Sequence, residues 1–528
     1  MNHLPILIAH EALCQQWAVG LQSPLCMELL PLLFWLLLLG AAVCVALPRF
    51  KQNWGWHMAV SLLGLLLLIW LILRTQLPLT ATFLAWSASG SPPDWTWQVD
   101  TTSWHITVWL LLVSTAVSLH ALLQPTHPAN RSTTPASVLL LTAAGLTAIW
   151  SAGFAGLLAG LTLLLASWLI TLWLAGERSN RFIFKGATLL MGLLLAWPIG
   201  SSRTSLLAAA LLLNIWPLPL WQPKTHENET TVAALTPLLP PLAGGLLLVR
   251  LLPVAQLSPG VSLLLTVLGL VGVFRGVQLA WNRLHLPSYA VTALLLAQSH
   301  LLLLAAIWVG TAGVLAELRA ILLAGSALYL LVLRPTTHKF VRTAVGSIIL
   351  ATLAGAPLTA TFASRAGLYA IWLADGRWAL VLVLALLHVP LIVAGIWLLT
   401  QQVRPSANVE RTTKDWLREA VPILPAAGLF SVTNINWTAV PLLVLLILAV
   451  TTVAGIILPR LVGQPQEVRL TIRQALGSER PSFADNLPTV KQLGAGLQTA
   501  VNDAADVLDG DSGLLWLLLL AVIIILTG

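Results

Sequence analysis

Apolar runs of about 20 residues recur along the whole chain with scarcely a charge inside them, and a helix of that length crosses the hydrocarbon core of a bilayer. Only 9% of the 528 residues are charged, 58% are hydrophobic and the mean hydropathy is +0.89. Soluble domains carry about 25% charge, so a water-soluble globule, a disordered chain, a collagen-like fibre and a nucleic-acid-binding module are all excluded. A transmembrane barrel would show short alternating segments instead. The reading is an all-α polytopic membrane protein.

Fourteen spans are expected, at 28–48, 56–74, 103–124, 134–150, 153–176, 186–201, 204–221, 231–252, 257–281, 288–309, 311–333, 343–373, 378–401 and 438–458, with a terminal apolar helix at 513–527. Loops after odd-numbered spans hold 15 Lys and Arg; the alternate loops hold Arg74, Arg203, Arg250 and Arg377. Basic residues concentrate in cytoplasmic loops. The N-terminus is therefore expected on the non-cytoplasmic side, in a bacterial cytoplasmic membrane. The same bias accounts for the net charge of +8 without an anionic partner. The first residues lack a basic stretch and a small-residue cleavage site, so no cleaved leader is expected.

The chain divides into 1–102 (two spans and a loop), 103–252 (a first repeat), 253–401 (a second repeat), 402–459 (a loop and the fourteenth span) and 460–528 (the tail). In the tail, Phe483, Leu487, Val490, Leu497, Val501 and Leu508 form one helical stripe. That stripe is expected to lie on a partner or the membrane surface, the plainer alternative being a solvated helix.

Charges inside apolar spans are expensive, so each is a candidate for function. Arg275, Glu317, Arg319, Arg365, His300 and His388 are the notable ones. Glu317, Arg319, Arg365, His300 and His388 are the candidates for an ion pathway. Glu317 and Arg319 are two residues apart and point different ways on a helix, though each can pair across helices. For Arg275 the plain reading is snorkelling. For the histidines it is a neutral ring bonded to a nearby carbonyl. Cys14, Cys26 and Cys44 are isolated, without metal-ligand spacing. With no Gly-x-Gly-x-x-Gly and no cysteine cluster, no cofactor or redox centre is expected in this chain.

Two spans are interrupted by proline. Gly355 and Pro357 sit inside GSIILATLAGAPLTATFASRAGL, and Arg365 follows Pro357 by eight residues. Earlier, Pro217, Pro219 and Pro223 end one span, and Pro237, Pro240 and Pro241 fall early in the next. Proline breaks a helix by removing a hydrogen bond and clashing with the preceding turn. Breaks inside a membrane are tolerated where they line a cavity or are buried in protein. Their spacing suggests an internal repeat of about five helices.

These residues resemble the antiporter-like membrane subunits of respiratory complex I (NADH:quinone oxidoreductase), shared with Mrp antiporters and membrane-bound hydrogenases. Trp216-Pro217-Leu218-Pro219-Leu220-Trp221-Gln222-Pro223 is similar to their Phe-Pro-Leu-His-x-Trp-Leu-Pro. Gly355 to Arg365 is similar to their Gly-x-Pro-x-x-x-x-Phe-x-x-Lys/Glu, and the stretch from Trp97, with Asp100 at its mouth, resembles their third helix. The resemblance implies two inverted five-helix repeats with broken helices, a proton path through buried Glu, Lys and His, and other membrane subunits as partners. This chain departs from that pattern where it matters. The family's lysine and glutamate positions fall on Leu163, Leu212 and Leu242, and its eleventh-span His and Lys near Leu322 and Gly325. Only Arg365 keeps a charge, and arginine does not titrate in proteins. The expectation is a subunit of a complex-I-like or Mrp-like ion-translocating assembly with a degenerate or altered proton channel. The alternatives are a pure scaffold subunit and an unrelated secondary transporter.

Overall fold

The computed structural model describes residues 24–46, 54–84, 95–123, 133–174, 202–215, 234–251, 257–284, 286–333, 339–400, 413–430 and 440–462. Pro217, Pro219 and Pro223, the span at 186–201 and the tail stripe with its terminal helix lie outside these residues. Among the described residues, nine helices are long and apolar enough to cross a membrane, with shorter apolar helices at Thr134–Trp150, Thr236–Arg250 and Phe340–Ala354. The chain is an integral, multi-pass membrane protein.

In chain order the helices are α1 (Pro24–Ala46), α2 (Trp54–Ile72), α3 (Thr101–Leu123), α4 (Thr133–Trp150), α5 (Phe154–Leu174), α6 (Ser202–Leu212), α7 (Leu239–Leu251), α8 (Pro259–Asn282), α9 (Pro287–Trp308), α10 (Thr311–Leu333), α11 (Lys339–Ala354), α12 (Phe362–Ala374), α13 (Trp378–Thr400), α14 (Thr413–Ala420), α15 (Ile423–Ala427) and α16 (Leu442–Val462). Burial sorts them into centre and rim: 83% of the apolar stretches of α9 and α10 is buried, against 22% for α16. Helix α10 is the hub, packing on α3, α7, α9, α11 and α12. Close approach is made by small residues, the usual device where lipid offers no hydrophobic drive for association. On α8, Gly276 lies so near α9 that an added Cβ would stand 2.6 Å from the Ala297 nitrogen.

Two elements depart from the sequence reading. The loop expected between the second and third spans contains an antiparallel hairpin, β1 (Leu79–Leu84) and β2 (Trp95–Val99), with Ala81 opposite Trp97 and a bulge between Thr82 and Leu84. It docks through Trp97, which is buried, pairs with Ser151 and meets the Trp150 ring edge-on at 5.5 Å. Trp150 in turn stacks on Trp70 at 5.2 Å. The hairpin is thus held by aromatic burial rather than by a larger sheet. The second departure is α14 and α15, which lie in a segment expected to be a plain loop.

Both interrupted spans end in the same way. After α6, Asn214 adopts φ 60, the Asn214 N–H bonds to Leu211 O and the Ile215 N–H to Ala210 O. After α11, Gly355 adopts φ 67, its N–H bonds to Thr352 O and the Ala356 N–H to Ala351 O. Each is a left-handed cap that satisfies terminal carbonyls, and each precedes a proline by two or three residues. The first break therefore begins at Asn214, ahead of Pro217: of the span expected at 204–221, the described residues are helical as far as Leu212.

Candidate functional site

Arg365 lies on the first turn of α12, and its side chain is fully buried. Its position follows from the break. Gly355 has no side chain, and an added Cβ would meet Arg365 Cγ at 2.6 Å, so the arginine stem lies across the helix cap. The Thr361 hydroxyl donates to Thr352 O, tying the two half-helices together. Glycine is required at 355 for its positive φ as well as for this space.

The guanidinium is met from three other helices. Nη2 donates to Glu317 Oε2 on α10 at 3.1 Å and to Gln298 Oε1 on α9 at 3.2 Å. Nη1 lies 3.0 Å from His388 Nε2 on α13. Gln298 Nε2 also donates to Glu317 Oε2, at 3.0 Å, so the amide bridges both members of the ion pair. Tyr369, one turn beyond Arg365, places its hydroxyl 2.7 Å from His388 Nδ1. Glu317, His388 and Tyr369 show no exposed surface, and Gln298 shows 2%.

Hydrogen-bond roles fix the protonation pattern. Arginine only donates, so His388 Nε2 must accept, the ring is neutral and its proton sits on Nδ1, directed at Tyr369. Removing a charge from water costs several kcal/mol per ion, which an ion pair offsets only with good geometry and further hydrogen bonds. Gln298 and His388 provide those bonds. Glu317 Oε1 and Arg365 Nε carry no hydrogen bond among the described residues, and Ser364 Oγ faces Glu317 without closing one.

The remaining candidates lie elsewhere. His300 bonds through Nδ1 to Leu296 O at 2.7 Å, and its ring presses on α8 where Gly272 leaves room. Arg275 bonds to Gln278 Oε1 within its own helix at 3.0 Å. Arg319 turns away from Glu317: Nε and Nη2 both donate to Gly428 O, and Nη2 also donates to Phe430 O at 2.7 Å. Leu212, Leu242 and Leu322 are packed in the core. A Cβ at Gly325 would stand 2.6 Å from Leu295 Cδ2, so nothing larger fits there without displacement. Leu163 is 40% exposed, on the outer face of α5 and not in the interior. Beside the first break is a cavity of about 40 Å³ lined by Asn214, Pro237, Pro241, Tyr289, Thr292 and Ser299, among others.

Gln298 and Tyr369 were not singled out from sequence. The available signals were slight: one amide in LLLAQSHLLLL, and one of only three tyrosines in the chain.

No family model matches the sequence, and no curated protein matches it either. Solved structures do match. A chain of the Mrp complex from Dietzia sp. superposes with a TM-score of 0.64 at 15% identity, covering 93% of this chain and 62% of that one. This chain thus spans about three fifths of the length of that relative. A chain of the membrane-bound sulfane sulfur reductase, an archaeal respiratory membrane complex, matches at 12% identity with a TM-score of 0.49, covering 94% of this chain and all of that one. The resemblance carried by Gly355, Pro357 and the paired prolines is met at the level of fold: this chain folds like a membrane chain of the Mrp complex.

Proposed function

We propose that the chain is a membrane subunit of a complex-I-like or Mrp-like ion-translocating assembly, and that its own proton path is interrupted at Arg365. The observation that carries this reading is the buried pairing of Arg365 with Glu317, Gln298 and His388. A guanidinium holds its proton and holds His388 in its neutral form, and it is paired with Glu317, so the break carries a fixed ion pair where the resemblance implies a titrating lysine. The apolar packing at Leu212 and Leu242 supports the same conclusion for the first half, and the crowding at Gly325 supports it for the eleventh span. Redox chemistry belongs to other subunits in this reading, and the 15-to-4 loop asymmetry orients the N-terminus away from the cytoplasm.

The test is substitution at Arg365 in the assembled complex. Arg365→Ala leaves Glu317 unpaired, at a cost of about 3–5 kcal/mol, and is expected to reduce assembly. Arg365→Lys keeps a charge without the planar fork and is expected to lose less. Both outcomes are read by yield of intact complex and by proton flux in reconstituted vesicles. Normal assembly with impaired flux would show a working path through this residue and overturn the interrupted-channel reading.

A further inference from the structure

Residues 413–430 are more than a connection. Helix α14 is amphipathic, with Trp416 and Leu417 exposed, and after it the chain turns inward. Val421, Ala426 and Leu429 are buried, and α15 packs against α3, α10 and α11. An added Cβ at Gly428 would meet Leu323 Cδ1 at 2.8 Å and Leu112 Cδ1 at 3.4 Å. Leu112 and Leu323 lie near the middles of α3 and α10, roughly 17 Å from either end at 1.5 Å per residue. Gly428 therefore lies at mid-span depth, in irregular backbone.

Such backbone needs hydrogen-bond partners, because a bilayer supplies none. Arg319 provides them, donating from Nε and Nη2 to the Gly428 and Phe430 carbonyls while its guanidinium sits 5.7 Å from the centre of the Trp109 ring. Phe430 also forms an antiparallel bridge with Thr359, inside the break between α11 and α12. The far side of that break carries Arg365.

We infer that 413–430 is an inward-packed arm that holds the 355–361 break in register, and that Arg319 is the positioning residue that fastens it. Arg319 thereby fixes the site without touching it. The arrangement stands whether or not the chain belongs to an ion-translocating assembly, since it rests on contacts within this chain.

Hydrogen exchange of the full chain in lipid nanodiscs tests this. In the parent protein the amides of 359–361 are expected to be protected; rapid exchange there overturns the inference. In Arg319→Gln those amides are expected to exchange about tenfold faster or more, the signature of a local opening, with α8 and α9 unchanged. Arg319→Lys, a single-point donor, is expected to fall between. A disulfide across the bridge, Thr359→Cys with Phe430→Cys, is expected to restore protection in the Arg319→Gln background. Unchanged exchange in a folded Arg319→Gln protein, or no rescue by the cross-link, refutes the arm's role. Should Arg319→Gln fail to fold, Gly428→Val, which drives the tip off Leu323, is read in the same way.

Discussion

The two interrupted spans share a cap and differ in what is packed behind it. Both end at a left-handed residue, Asn214 or Gly355, with matching hydrogen bonds on either side and a proline just beyond. Behind the first lie Leu212, Leu213 and a cavity of about 40 Å³; behind the second lies a fully buried arginine with three polar partners, Glu317, Gln298 and His388. Backbone geometry thus creates the interruption, and side-chain chemistry decides separately what it does. At the second, the arginine stem leaves room only for glycine.

The largest effect that would break this comparison is expected from Glu317→Gln. It leaves the Arg365 charge without its counterion, at about 3–5 kcal/mol, and should lower the thermal midpoint of the purified chain far more than Asn214→Gly at the other break. Equal, small shifts would mean the ion pair contributes nothing. Gly355→Ala comes next. A left-handed alanine costs about 1–2 kcal/mol, and the contact with Arg365 adds roughly 1–3 kcal/mol; Asn214→Gly should change stability by less than about 1 kcal/mol. Denaturation of the two variants side by side checks whether the caps differ as described.

The smallest effect concerns pH and the edge of the first half. Asp100 caps α3, accepting from the Ser103 N–H at 2.7 Å and from its hydroxyl at 2.7 Å. Burial pushes its carboxyl up, but those hydrogen bonds and the Arg250 charge outweigh it and hold the carboxyl below its usual value. A carboxyl depressed by folding stabilises above its unfolded value, and that contribution is lost as pH falls through the folded one. Asp100→Asn should remove this acid-limb dependence, worth roughly 0.5 kcal/mol for so solvated a group. A melting curve whose acid limb is the same in parent and variant would show that Asp100 does not report on this half.

Much of the scaffold was legible in the sequence because its signals are local. Twenty-residue apolar runs, paired prolines and a lone Arg365 can each be read without knowing what lies beside them. The hairpin was missed because LTATFL and WTWQV are too short to stand out between hydrophobic spans, and what fixes them is Trp150 and Ser151, more than 50 residues away from Trp97. Arg319 was read as a pathway candidate because a charge in a span looks the same whether it faces a relay or a carbonyl. Gln298 lies 67 positions from Arg365 and His388 lies 23; no periodicity links them, only the packing of α9, α12 and α13. For His300 the plainer sequence reading, a ring bonded to a nearby carbonyl, describes what is found.

Glu317 and Arg319 stand two residues apart on the hub helix and face away from each other, one gripping α12 and the other the tip of 413–430. Successive residues on a helix are separated by about 100°, so these two grips are set some 200° apart around a single axle. A twist of α10 in either direction drags on both at once, and neither can slip without loosening the other. The helix at the centre of the molecule is therefore held against rotation about its own axis from two sides.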